Sequence, residues 1–328
     1  MSKLLHALLA LGLAATLALP AAAQAPAQSP QAAPQAAPIP QTRPVAAAVK
    51  QRHFPTAGAA ADAMTEAVRK DDDKAIAAML GSSWRDFVPG TREDEDRARE
   101  DFLKAWDQNH KVAPDGDNAN KMLVEVGTTG FKMPIPIVKD DEGWRFDIEA
   151  GYDEMIARQI GRNELAVVQS LLAIVDAQYD YATNDPTKTG TTAYARRLLS
   201  SPGKKDGLYW ETKPGEPDSP LGPLVAKAQP GDREGAGYHG YHYRLLYGQG
   251  SNAPGGAYSY LLNNRMLGGF GVIAWPVKYG ETGVMTFVVN QSGEVYERDL
   301  GPETPQRAAQ ITLFDPDKDW QKADTTPP

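Results

Sequence analysis

Between residues 152 and 182 the apolar side chains keep a helical period: Ile156, Ile160, Val167, Val168, Leu171, Leu172, Val175 and Tyr179 recur at helical steps, with Arg158, Arg162, Glu164 and Asp176 between them. That pattern predicts one long helix with a single buried face. Strand-like runs end before it, at 144–148, and resume well after it, so the helix reads as a spine joining two domains.

Ahead of the spine, residues 59–69 and 73–80 carry the pattern of two short helices. The run Asp71, Asp72, Asp73 opens the second, where carboxylates suit the positive end of a helix; it reads as a cap rather than a metal site. Residues 94–109 predict a third helix with Ala98, Phe102, Ala105 and Trp106 inward. Strands are expected at 122–126, 131–138 and 144–148, with the turn between the last two at 139–143.

After the spine, Asn184, Asp185 and Pro186 are helix-stopping residues, and 194–199 reads as a short helical turn. Residues 201–237, rich in Pro and Gly, predict an ordered surface loop. Strands follow at 241–247, 269–277, 285–290 and 295–299, with Asn290 to Gly293 as a hairpin turn. Past Thr304 a loose tail is expected.

The N-terminus changes the picture. Lys3, an apolar run over 4–19 and the small residues Ala21, Ala22 and Ala23 have the layout of a cleavable secretory signal, expected to be cut after Ala23. The run is shorter than the roughly 20 residues a spanning helix needs, so no membrane insertion is expected after cleavage. Residues 24–53, rich in Pro, Ala and Gln with no apolar period, read as an extended linker. The expected partition is therefore a signal peptide at 1–23, a linker at 24–53, α+β domains at 54–150 and 151–303, and a tail at 304–328. The expected address is the periplasm or the exterior.

Composition narrows the chemistry. Hydrophobic residues make up 41% and charged residues 23% of 328, a globular balance. The net charge of −8 and the lack of a dense basic patch argue against a nucleic-acid partner. With no cysteine, disulfides, thiol catalysis and thiolate metal sites are excluded.

Short helices followed by the strands of 131–151 resemble the cone-shaped NTF2-like folds. That likeness implies a pocket lined by Trp84, Phe87, Trp106, Trp144 and Phe146, although the same rings also read as a domain core. Catalytic versions carry an Asp–His pair in the cone. Here the nearby histidines are His53 at the linker edge and His110 at a helix end, so catalysis is not carried over.

The second half, with its long helix, its Gly-Tyr strand at 240–248 and its closing hairpin at 285–301, is similar in order to type IV pilin and pseudopilin modules. It departs from them in its ordinary secretory signal and in Glu154, Arg158 and Arg162 on the first helical turns, so pilin-type polymerisation is not implied. Some pseudopilins hold calcium in a carboxylate-bearing loop, whereas residues 248–257 carry no carboxylate. Over its whole mature length the chain resembles the exported bacterial family labelled domain of unknown function 2950, on residues 133–137, Trp144, Arg145, Phe146, Asp147, 237–243 and 283–300. That likeness implies address and architecture, with no activity attached.

Candidate chemistry is sparse. His239 and His242, among Tyr238, Tyr241 and Tyr243, could ligate zinc or copper if a turn brought them together; in a straight strand they point to opposite faces. There is no nucleophile-elbow pattern around Ser251, and Ser292 sits in a hairpin turn. Tyr209, Trp210, Tyr258 and Tyr260 fall in Gly- or Pro-flanked stretches where exposed rings stack on sugars or a protein partner. The expectation is a non-catalytic binding or envelope-assembly module without a cofactor, whose partner is an envelope protein or cell-wall glycan. The alternative is a metal-dependent hydrolase centred on His239 and His242.

Overall fold

The computed structural model describes residues 51–87, 92–222 and 237–326, in two compact units that divide between Arg158 and Gln159. The expected signal, nearly all of the linker and residues 223–236 of the connector lie outside the described residues.

In the first unit, helix α1 (Ala57–Arg69) begins where Thr56 Oγ1 accepts the Ala59 N–H at 3.1 Å. Helix α2 (Asp73–Leu80) begins where Asp72 Oδ1 accepts the Ala75 N–H at 3.0 Å, so the acidic run does cap a helix. A 3-10 turn (Trp84–Phe87) follows, then helix α3 (Arg92–Gln108), which buries Ala98, Phe102 and Trp106.

Five antiparallel strands complete this unit: β1 (His110–Asp115), β2 (Asn118–Val126), β3 (Phe131–Lys132), β4 (Ile137–Asp140) and β5 (Gly143–Phe146). Their order is β1-β2-β4-β5, with β3 also on β2. The single strand expected over 131–138 is split in two, because Pro134 and Pro136 cannot donate to a ladder. Strand β1 has no counterpart in the sequence reading; its half-exposed residues lack an apolar alternation.

Helix α4 (Ile148–Asn184) is the long spine, 37 residues from first to last. Asp147 opens it by accepting the Ala150 N–H at 3.1 Å. At Gly151 a Cβ would come within 2.6 Å of Ile135 Cγ1, so the first turn lies against the proline-broken segment only because that residue is glycine. The helix stops at Asp185, which has a left-handed φ of 38° and whose carboxylate accepts from Thr187, Thr189 and Gly190. Tyr179, expected inward, is 45% exposed; the buried stripe passes through Val175, Gln178 and Tyr181 instead.

The second unit is built on a five-stranded antiparallel sheet. Its strands are β6 (Tyr241–Leu246), β11 (Gly271–Pro276), β12 (Met285–Asn290), β13 (Val295–Asp299) and β14 (Gln321–Lys322), in the order β14-β13-β12-β11-β6. Short pairs β7 (Gly248–Gln249) with β8 (Tyr258–Ser259), and β9 (Leu261–Leu262) with β10 (Arg265–Met266), lie between β6 and β11. One sheet face packs Val272, Ala274, Phe287 and Val289 with Val168, Leu171 and Val175 of α4. On the other, Ile273, Val288 and Leu246 pack with Ala308 and Phe314.

Two expectations fail here. The residues past Thr304 are no loose tail: helix α5 (Thr304–Gln310) buries Ala308, Phe314 is 1% exposed, and β14 pairs with β13. The second sheet face is apolar and must be covered, and this segment covers it. Nor is 194–199 a helical turn; Tyr194 and Leu199 make extended bridges to Met266 and Tyr209, whose pairing outcompetes a single isolated turn of helix.

Candidate functional site

The first-unit aromatics are packed inside. Trp84 is fully buried, Phe87 is 1% exposed, and Trp106 and Phe146 are buried too, while Trp144 is half-buried and pairs its backbone with Phe54. Trp106, Phe102, Phe146, Val124 and Met133 border an apolar cavity of about 40 Å³, with Trp84 and Trp144 away from it. Ligand pockets run to hundreds of Å³. As folded, this cavity offers no room for a small organic molecule.

His239 sits in a tight turn with a left-handed φ of 50°, its ring 4.2 Å from that of Tyr238; Tyr238 and Tyr241 exchange backbone hydrogen bonds across the turn. His242 lies on β6, its ring 5.5 Å from that of its cross-strand partner Trp275. Among the described residues there is no group of three or more His, Asp or Glu that could hold a metal ion.

The loop aromatics divide. Trp210 and Tyr209 are half-buried, with Lys205 Nζ 5.3 Å from the Trp210 ring centre. Tyr258 is 39% exposed and meets Tyr260 edge-on. Tyr260 itself is fully buried, its hydroxyl donating to Gln249 Oε1 at 3.0 Å, so it is a core residue and not an exposed loop ring.

Another cleft is one that sequence reasoning missed. It lies in the second unit, has a volume of about 520 Å³, and brings together Tyr181, Tyr194 and Tyr247 with Arg196, Arg197 and Arg265. Each wall is fixed locally. Gln178, fully buried on α4, grips the Ala195 backbone, accepting its N–H at 2.8 Å and donating to its carbonyl at 3.1 Å. That holds Tyr194, Arg196 and Arg197 beside the helix.

The opposite wall is the β9–β10 hairpin. Asn263 and Asn264 have φ of 47° and 61°, the paired left-handed conformation of a two-residue turn, which asparagine tolerates. The turn places Arg265 at the start of β10. The Tyr194 N–H donates to the Met266 carbonyl at 2.9 Å, and Arg196 Nη1 donates to the Asn264 carbonyl at 3.1 Å, tying the walls together. Arg265 Nη2 donates to Thr189 Oγ1 at 2.7 Å.

The hydroxyls of Tyr181 and Tyr247 donate to the carbonyls of Lys205 and Arg196 at 2.8 and 3.0 Å. Neither is therefore a free donor; Tyr247, 40% exposed, offers the cleft its ring, while Tyr181 is buried behind it. Asp206, the one carboxylate in the lining, accepts from Ser201 N and Oγ, and these bonds hold it below the usual carboxylate range. In sequence, the two-arginine step and Arg265 are 68 residues apart, and neither lies in an apolar or catalytic pattern. The Asn-Asn turn and the glutamine on an apolar stripe were the only local signals.

A helix-backed five-stranded antiparallel sheet, together with a helix-and-sheet unit of the same mixed kind, defines an α+β protein. No described helix is long and apolar enough to cross a membrane. The chain belongs to the family described as protein of unknown function (DUF2950), whose model matches residues 51–323. No curated protein and no solved structure matches it.

Proposed function

We propose that this protein is an exported, non-catalytic binding module that engages the cell-wall glycan through the tyrosine-walled cleft of its second unit. The observation that carries this reading is the cleft itself: its volume suits a sugar-sized ligand, and Tyr247, 40% exposed, offers a flat face for stacking. Tyr179, also exposed, meets Tyr194 edge-on.

The helix-then-sheet order of residues 54–150 supports an NTF2-like reading of the first unit. The long helix packed on an antiparallel sheet supports a pilin-like reading of 151–303. Residues 1–23 direct export and 24–53 act as a tether. N-terminal sequencing of the exported chain should begin at Gln24; a start at Met1 overturns the export reading.

Co-sedimentation of the full chain with purified cell-wall sacculi tests the function. Retention that falls in Tyr247→Ala, with the fold intact by circular dichroism, supports it. A chain that stays in the supernatant and crosslinks instead to one envelope protein in cells moves the role to protein assembly.

A further inference from the structure

The charge inside the cleft runs against the charge of the chain. Three guanidinium groups face one carboxylate in its lining, in a protein whose net charge is −8. We propose that the cleft is an oxyanion site, taking a small ligand that presents a carboxylate or a phosphate to Arg196 and Arg265. This rests on the reading that the cleft is where the module binds.

Several arginines elsewhere in the chain are paired with carboxylates, although Arg244 donates to the Ala308 and Ile311 carbonyls instead. Arg69 pairs with Asp107 at 2.7 Å, Arg145 with Asp140 at 2.9 Å, and Arg298 with Asp319 at 3.1 Å. In the cleft, Arg265 donates to the Thr189 hydroxyl, which itself donates to the Asp185 carboxylate at 3.1 Å, and, at 3.5 Å, to the Thr191 carbonyl. Arg196 donates to the Asn264 carbonyl, and its Nε is buried without a hydrogen-bond partner. Among the described residues neither has a carboxylate within ion-pair distance. Arg197 approaches Asp206 only at 3.9 Å, and that carboxylate already accepts from Ser201.

Neutral acceptors orient a guanidinium without cancelling its charge, which leaves its remaining N–H groups as strong donors. A carboxylate or phosphate oxygen pair matches the planar fork, and charge-assisted bonds to it are roughly twice as strong as neutral ones. The Thr189 bond and the Tyr194–Met266 and Gln178–Ala195 pairings hold the two arginines on separate, tied walls, so little ordering is left to do on binding. Tyr247, with its hydroxyl already committed, supplies ring surface for the ligand's body. The ligand class is therefore a compact body, sugar-sized or smaller, carrying an oxyanion.

Calorimetric titration of the full chain with inorganic phosphate, with succinate and with sodium chloride at matched ionic strength tests this. Saturable binding of phosphate, succinate or both, absent with chloride, is expected, and which one binds identifies the source of the oxyanion. Arg265→Gln and Arg196→Gln should each weaken it about tenfold or more, while Arg298→Gln leaves it unchanged. If a glutamine variant fails to fold, Arg265→Lys keeps the charge but not the fork and should still weaken binding. No saturable binding, or equal binding in the arginine variants, overturns the proposal. If a neutral N-acetylglucosamine trisaccharide binds in a Tyr247-dependent way and neither anion does, the oxyanion class fails while the binding reading stands. If sacculi, trisaccharide and anions all fail to bind, both fall.

Discussion

Gln178 holds Ala195 by both ends of its side-chain amide, accepting the Ala195 N–H at 2.8 Å and donating to its carbonyl at 3.1 Å. Both residues are almost fully buried. Replacing Gln178 by Ala strands two backbone groups away from water, which costs about 2–4 kcal/mol by the usual penalty for unpaired buried donors and acceptors. Urea unfolding should show this loss, and the variant should bind less at the cleft because Arg196 loses its support. Wild-type stability would mean that the 193–197 segment swings out to solvent freely.

A second clamp joins the same helix to the sheet. Glu164 Oε1 accepts the N–H groups of Val284 and Met285 at 2.8 and 2.9 Å. Glu164→Ala should destabilise the second unit by about 2–3 kcal/mol, and Glu164→Gln, which keeps an acceptor oxygen, by less. Next to the clamp, a Cβ at Gly283 would overlap the buried Tyr241 hydroxyl and ring. Gly283→Ala should cost about 1–3 kcal/mol through overpacking, read in the same unfolding experiment.

The C-terminal segment is part of the core. Phe314 is 1% exposed and packs with Ile273, Val288 and Ala308, and edge-on against Tyr296. Phe314→Ala should cost about 3–5 kcal/mol, as buried aromatic truncations do. A chain ending at residue 303 should expose the sheet's second face and bind a hydrophobic dye.

Alkaline pH should unfold the second unit late and steeply. Burial pushes the Tyr279 phenol up to about 12, with the hydrogen bond and charge of Asp299 adding to it, and burial likewise raises Tyr241 and Tyr260. A raised folded-state value means stability is whole below the ordinary phenol value near 10 and declines as pH rises toward 12. Tyrosinate absorbance should therefore lag for these phenols and finish together with the loss of ellipticity. Full ionisation with the fold intact would contradict this.

Glu297 is held above the ordinary carboxyl range first by burial, then by the charges of Glu164 and Asp324. Here too the neutral form suits the fold, so the destabilising effect of ionisation is complete at neutral pH and absent below the unfolded value near 4.5. Glu297→Gln should stabilise the protein at pH 7 by less than about 1 kcal/mol, with no gain at pH 4. Thermal melts at the two pH values check this.

Local rules made much of the fold legible. The period of α4 needs only side chains three and four apart, the Asp72 cap only a carboxylate beside the first N–H groups, and the turn at Asn290 to Gly293 only two residues that suit it. Strands β12 and β13 fall where their β-branched and aromatic runs stand. The continuous runs Val272, Ile273, Ala274 and Phe287, Val288, Val289 are buried on both faces, a pattern that calls for a covering segment, whereas the sequence past Thr304 reads as a loose tail. Which segment covers the second face was decided by tertiary packing of Ala308 and Phe314, because seven helical residues carry no decisive period of their own. The cleft was decided there too: Arg196 and Arg265 meet only because Gln178 and an Asn-Asn turn position two distant segments. Periodicity reports which side of an element is buried, and says nothing of which distant polar groups the folded chain will bring face to face.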